Sequence, residues 1–238
     1  MYVLCLDFRF MRCGRKSGVM IVDERLTTYI DSLSWQIPEY LKEVEKEALA
    51  GGVPVIRRSM QSLLVFLLQV RKPKAILEIG TAIGFSGMLM SEAAGEAEID
   101  TIEKVPVRLK EAKRNFKKYG KTDRIHLYEG DAADILQELS DKRKKYDFIF
   151  MDAAKGQYLN FLPFVLGLLP EGGMLVTDNV LQDGDVIQSR YAVTRRDRTI
   201  HGRMREYLYR LTHSENLDTV ILPVGDGVSL SVLKKERN

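Results

Sequence analysis

The chain has 238 residues, 45% of them apolar and 29% charged, which describes a folded globular protein and excludes a disordered one. No apolar run approaches the roughly 18 residues that a spanning helix needs, so no membrane partner is expected. The formal charge of +3 lies in residues 1–19, where Arg9, Arg12, Arg15 and Lys16 face only Asp7; residues 20–238 hold 32 basic and 32 acidic side chains, so net charge names no partner.

Residues 1–19 also hold both cysteines, Cys5 and Cys13, and their short apolar stretch is broken by Asp7, which makes a poor signal peptide. They read as an N-terminal extension or a start-site artefact, and residues 20–238 as a single domain. With no cysteine after Cys13, no disulfide framework is possible, and a reducing cytoplasm is the expected location.

Residues 23–71 read as helices, broken at Gly51-Gly52-Val53-Pro54. From Ala75 onward apolar runs alternate with helical ones. Strands are predicted at Ala75–Ile79, Glu98–Glu103, Ile125–Glu129, Tyr146–Asp152, Met174–Asp178, Leu217–Leu222 and Val228–Leu233. Helices are predicted at Phe85–Ala94, Pro106–Tyr119, Ala132–Asp141 and Tyr158–Leu169, with Pro106 suited to a first turn and Gly120 to a stop. This alternation predicts an α/β domain with a parallel sheet and helices on both faces. The link Pro223-Val-Gly-Asp-Gly227 is too short for a crossover helix, so the last strand should run antiparallel.

In such a sheet, ligands sit beyond the carboxyl ends of the strands. The first strand runs into Glu78-Ile-Gly80-Thr-Ala-Ile-Gly84-Phe-Ser86-Gly87, a glycine turn that opens a helix. Its spacing differs from the dinucleotide fingerprint G-x-G-x-x-G. The acidic Glu78 suggests a cofactor carrying positive charge, which fits S-adenosylmethionine and not NAD; an ordinary strand-to-helix turn is the alternative. Glu103 ends the second strand, where a carboxylate can accept both ribose hydroxyls. Asp131, after the third, could face an adenine amino group or simply cap a helix. Asp152, Asp178 and Asn179 close neighbouring strands and could offer three oxygen ligands to Mg²⁺, or form turns. Lys155 could accept a proton beside them, or be a solvated lysine.

Together these features resemble the cation-dependent O-methyltransferases, the group that includes the catechol and caffeoyl-CoA enzymes. The likeness rests on LEIGTAIGFSG, the Glu103 strand end, EGDA, DAAKGQY, TDNVL and LPVGDGVSL. It implies a Rossmann-like, seven-stranded class I methyltransferase sheet and a homodimer. It also implies S-adenosylmethionine held by Val55, Glu78, Gly80, Ser86, Glu103, Ala132 and Asp152, with Asp131 near the adenine. Asp152, Asp178 and Asn179 would hold Mg²⁺ (or Mn²⁺), and Lys155 would be the general base.

The segment after Asn179 points to the acceptor. Arg190, Arg195, Arg196, Arg198, Arg203, Arg205 and Arg210 fall between Val186 and Arg210 against only Asp197 and Glu206, and Arg57 and Arg58 add to them. Arginine is the preferred fork for phosphate, although a solvated helix face with internal ion pairs has the same composition. In 5-hydroxyuridine the 5-hydroxyl and 4-carbonyl oxygens are neighbours, as in a catechol. From Met20 the chain is similar to the bacillar tRNA 5-hydroxyuridine methyltransferases, which implies a tRNA anticodon loop as partner and 5-methoxyuridine at wobble position 34 as product. Catechol-like small molecules are the alternative acceptor, and a non-catalytic nucleotide- or RNA-binding module is a third possibility. Trp35, His126, His201 and His213 have no assigned role beyond packing or surface.

Overall fold

The computed structural model describes residues 23–34, 36–189, 191–195 and 197–235; the expected 1–19 extension, Trp35, Arg190 and Arg196 lie outside the described residues. The leading helical region forms α1 (Glu24–Ser32), α2 (Glu39–Ala50) and α3 (Arg58–Arg71), with the break at 51–57 as expected. Asp23 caps α1 by accepting from the Arg25 N–H. Then follow β1 (Ala75–Ile79), α4 (Phe85–Ala93), β2 (Glu98–Glu103), α5 (Pro106–Lys118), β3 (Ile125–Glu129), α6 (Ala132–Asp141) and β4 (Phe148–Met151). The chain continues through α7 (Tyr158–Leu168), β5 (Met174–Thr177), α8 (Arg198–Thr212), β6 (Leu217–Leu222) and β7 (Val228–Leu233).

The strands form one sheet in the order β3-β2-β1-β4-β5-β7-β6. Helical crossovers make the pairs β1–β2, β2–β3, β1–β4 and β4–β5 parallel, whereas β7 runs antiparallel to both neighbours after the short 223–227 turn. Strand alternation divides the core into two layers. Ile76, Ile99, Phe148, Phe150 and Val176 face α2 to α5, while Leu77, Ile79, Ile149, Met151 and Leu175 face α6 to α8. Both faces of the sheet are therefore covered, as a parallel sheet requires.

Two expectations need correction. The fourth strand begins at Phe148 and not Tyr146, because the two preceding residues have other partners. The Tyr146 hydroxyl donates to the buried Asp100, and the Asp147 carboxylate accepts the Lys74 and Ala75 N–H groups at 2.8 and 3.2 Å. The arginine-rich stretch, for which a solvated helix face was the alternative to a phosphate contact, contains α8, and that helix is not merely solvated. Its inner face buries His201, Met204, Tyr207 and Leu211, a helical spacing that was present in the sequence. His201 is thus a packing residue, its Nε2 3.1 Å from the Gln188 carbonyl.

Phe150 is fully buried in the central strand β4. Phe150→Ala is expected to cost about 3–5 kcal/mol, a fall in melting temperature on the order of 10 °C. Thermal denaturation followed by circular dichroism checks this; a change under about 3 °C would place the core elsewhere.

Candidate active site

The carboxyl ends of β1 to β5 converge because the strand ladder continues past them. Gly80 and Thr81 both donate from N–H to the Ile102 carbonyl at 3.1 Å, and Asp152 donates to Ile79 at 3.0 Å. The Asp178 N–H reaches Met151 at 3.0 Å, and the Gly130 N–H reaches Glu103 at 2.9 Å. Gly80 has φ +110°, and a Cβ on it would stand 2.2 Å from the Asp152 carbonyl oxygen. Only glycine allows the β1 and β4 ends to meet this closely.

Above these ends lies a cleft of about 410 Å³. Of the residues assigned to a cofactor from sequence, Val55, Gly80, Ser86, Glu103, Asp131, Ala132 and Asp152 line it. Glu103 is nearly buried, and its carboxylate is fixed by the backbone N–H groups of Ala82, Lys104 and Val105, each at 2.9 Å. Asp131 is the N-cap of α6, accepting from Ala133 at 3.0 Å, and also pairs with Lys104 at 3.1 Å. The helix N–H foremost, then Lys104, hold its carboxyl below the usual range. Its two sequence readings therefore coexist, since a capping residue also lines the cleft.

Glu78 is placed differently from the others. It shares a strand face with Ile76, lies beneath α4 and is fully buried, accepting from the hydroxyls of Ser86 and Thr101. It supports the cleft floor through Ser86 and is not among the lining residues. Burial pushes its carboxyl from 4.5 up to about 7, against the opposing effect of the two hydroxyls.

Asp152 and Asp178 sit on adjacent strands, and both carboxyls are raised by burial, to about 6 and about 7. Asp152 further raises Asp178, while the positive charge of Lys155 lowers both. Lys155 begins a single 3-10 turn, Lys155–Gln157, separated from the end of β4 by three residues. Asn179 follows Asp178 with φ +58°, its N–H on the Asp178 carboxylate at 2.7 Å and its Nδ2 on Asp226 at 3.2 Å. Among the described residues no three His, Cys, Asp or Glu side chains group as a metal cage, so the candidate donor set is two aspartates and one asparagine.

The motif LPVGDGVSL gave Asp226 no role at the level of sequence, and the lining residues Lys104, Arg108, Gln157 and Phe161 were missed there as well. The asparagine contact is the signal that identifies Asp226, and no sequence spacing encodes it.

The expected arginines split. Arg57 pairs with Asp226 at 2.5 Å, and Arg58 lies 3.6 Å from Glu45. Arg198, Arg203 and Arg205 hydrogen-bond to neutral oxygens of Val193, Asn160 and Val186 at 3.4, 2.7 and 3.4 Å, with no carboxylate partner among the described residues. Arg195 is exposed, and Arg210 pairs with Glu206 at 2.8 Å. The N-terminal part of α8 borders the site: an ideal Cβ on Gly156 would lie 3.9 Å from Ile200. Arg203 also reaches the cleft-lining Gln157 through Asn160.

The raised Glu78 carboxyl has a consequence for stability. The fold retains a proton that the unfolded chain gives up near pH 4.5, so this contribution is fully present below pH 4.5 and is lost as pH rises through about 7. Glu78→Gln is neutral at every pH. It should therefore gain on the wild type by about 1.4 kcal/mol for each pH unit crossed between those two values. Melting curves of both ligand-free proteins across that range test it; a difference independent of pH would refute the assignment.

The O-methyltransferase family model matches residues 31–235. The chain is 29% identical over 220 residues to the catechol O-methyltransferase of Niastella koreensis, covering 89% of this chain and 97% of that protein. It is 30% identical over 191 residues to the O-methyltransferase ankF of Aspergillus thermomutatus, covering 73% and 77%. The SAH-bound methyltransferase of Podospora anserina superposes with a TM-score of 0.78 at 30% identity, covering 89% of this chain and 95% of that one. The fold, the converging strand ends and these likenesses place the chain in the O-methyltransferase family.

Proposed function

We propose that the chain transfers the methyl group of S-adenosylmethionine, with Mg²⁺ or Mn²⁺ bound, to the 5-hydroxyl of 5-hydroxyuridine at wobble position 34 of tRNA. The observation that carries the acceptor is the group of arginines in and just before α8, the helix that packs beside the Lys155–Gln157 turn. Among the described residues, Arg198, Arg203 and Arg205 bond only to neutral oxygens, and Arg195 is exposed. Guanidinium groups without carboxylate partners suit a phosphate backbone. A wobble uridine in an anticodon loop is single-stranded and can enter a pocket without a duplex being opened.

The residues present fit the implied groups. A cleft of about 410 Å³ is of the size small-molecule sites have, and Glu103 lines it with a fixed carboxylate suited to a ribose diol. Asp152, Asp178 and the Asn179 Oδ1 form an all-oxygen donor set, the kind a hard cation takes. Burial raises both aspartates, and the charges of Asp152 and Asp226 raise Asp178 further, with Lys155 and the Asn179 N–H set against this, which makes a place where a cation is favoured.

Bound there, the ion would supply charge that lowers the pKa of an acceptor hydroxyl and a centre for its two adjacent oxygens. Lys155 would be the general base, taking the hydroxyl proton on Nζ. The acceptor oxygen then attacks the methyl carbon in line: the new C–O bond forms as the C–S bond breaks, and the sulfonium leaves as a neutral thioether. Val55, Ala132 and Glu103 hold the donor so that its methyl meets the acceptor, and this positioning contributes much of the acceleration. A homodimer joined through α1 and α3 fits the exposed Leu26, Tyr29, Ile30, Leu33, Phe66 and Val70.

A second acceptor class, catechol-like small molecules, is favoured by the name of the Niastella relative. Labelled S-adenosylmethionine, tRNA carrying 5-hydroxyuridine and a catechol control separate the two. Label is expected in the tRNA and should vanish with EDTA; label in the catechol alone would overturn the RNA acceptor, and EDTA-resistant transfer would overturn the cation. Arg195→Glu with Arg198→Glu should lower kcat/KM for tRNA by about tenfold or more and flatten its salt dependence while leaving S-adenosylmethionine affinity unchanged. Undiminished activity on tRNA would remove the arginines from the interface.

A further inference from the structure

The turn between β6 and β7 is docked onto the loop that follows β5. The Val180 N–H donates to the Gly227 carbonyl and the Leu181 N–H to the Asp226 carbonyl, each at 2.9 Å. Gly227 has φ +86°, and a Cβ there would fall 2.2 Å from Leu181 Cγ, so the two segments meet with no room for a side chain at position 227. This contact delivers the Asp226 carboxylate, with its side chain only 13% exposed, to Asn179 on one side and Arg57 on the other. The Oδ2 of Asp226 accepts from Asn179 Nδ2 at 3.2 Å, and its Oδ1 pairs with the Arg57 guanidinium at 2.5 Å.

An ionised carboxylate can only accept hydrogen bonds, so Asn179 must turn its NH₂ toward Asp226 and its Oδ1 away. An asparagine free to rotate would present the ligating oxygen only part of the time, and its NH₂ would repel a cation. We infer that Asp226 is a positioning residue that locks the Asn179 amide with its Oδ1 toward the Asp152 and Asp178 side, and that Arg57 clamps the opposite oxygen of Asp226. This rests on the cation proposed above. It also gives Arg57, read from sequence as an RNA contact, a different employment. Arg57 is the N-cap residue of α3 and lies two residues after the cleft-lining Val55, so the clamp joins the cleft wall to the candidate cation site.

The logic makes an exchange experiment possible. In Asp226→Asn the introduced amide has one oxygen, which the Arg57 guanidinium claims, so it shows its NH₂ to Asn179 and forces that amide to flip. Mg²⁺ affinity of the full chain, measured by titration calorimetry, should fall by about tenfold or more, the range seen when an outer partner of a ligand is lost. Affinity for S-adenosylhomocysteine and the melting temperature should change little. Adding Asn179→Asp to Asp226→Asn restores a donor facing an acceptor with the roles exchanged, and Mg²⁺ affinity should recover to within about threefold of wild type.

Wild-type affinity in Asp226→Asn would overturn the inference. So would an equal fold-loss from Asp226→Asn in the wild type and in an Asn179→Asp background, where the ligating group has two equivalent oxygens and cannot be misoriented, because the effect would then lie in charge and not in orientation. Failure of the wild type to bind either Mg²⁺ or Mn²⁺ would overturn the cation proposal itself, and it is read before any variant is made.

Discussion

The contact between Gly80 and the backbone of Asp152 is the constraint from which the site follows. A Cβ at position 80 would collide with the Asp152 carbonyl, so the end of β1 and the end of β4 touch backbone to backbone. β1 leads into Gly80 and the α4 turn that carries Ser86, whereas β4 leads into Asp152 and Lys155. Their close approach means that the cleft and the candidate cation site share Asp152 as a common wall. Methyl transfer needs donor and acceptor in line and close to contact, and a site built on loops alone would hold that distance poorly. Here two adjacent strands of a fully covered sheet set it.

Several carboxylates crowd this region, and the fold treats each differently. Glu103 is fixed by three backbone N–H groups and Asp131 by a helix N-terminus. Glu78 has two hydroxyls and full burial, so it holds its proton to near neutral pH. Asp226 has the Arg57 guanidinium. Asp152 and Asp178 are given the least compensation for their burial: the hydrogen bond to Asp178 from Asn179 and the charge of Lys155 are set against desolvation of both and the repulsion of Asp178 by Asp152. Burying a charge without a partner costs free energy. A fold that accepts this cost at two adjacent acids, while satisfying the acids around them, concentrates negative potential at one point.

The sheet was legible almost to the residue because β1, β4 and β5 are short, nearly continuous apolar runs, and β3 and β7 alternate apolar with polar residues, patterns that do not serve a surface helix. The misjudged strand, β4, was extended over Tyr146 and Asp147, whose place beside an apolar run hid their long-range partners Asp100 and Lys74. The helix α8 was obscured by its own composition. The arginines drew attention to charge, yet Met204, Tyr207 and Leu211 recur at helical spacing on the opposite face. At the site, the polar strand ends were readable, since topology alone puts them together. The direction of Glu78 was readable in principle, because strand alternation sets it beside Ile76 and beneath α4. Asp226 was beyond reach: it meets Asn179 across 47 residues, through the docking of one turn on another loop.

The placement of α8 bears on how acceptor choice relates to chemistry. Its buried Tyr207 hydroxyl lies 2.7 Å from the Thr177 hydroxyl, at the last residue of β5 and directly before Asp178. Tyr158 packs against Tyr207 with ring centroids 5.5 Å apart and donates its own hydroxyl to the Asp178 carbonyl at 3.1 Å. The inner face of α8 is therefore bound to the backbone that carries the candidate cation ligands, while Arg198 and Arg205 stand on one flank of that face and Arg203 on the other. Under the proposed tRNA function, an acceptor held by those arginines is positioned relative to Asp178 by one helix, and the guanidinium groups do not need to enter the pocket. Under the same proposal, substitution of those arginines alters the acceptor without moving Tyr207, whereas a change at Tyr207 or Tyr158 is transmitted to the backbone at Thr177 and Asp178.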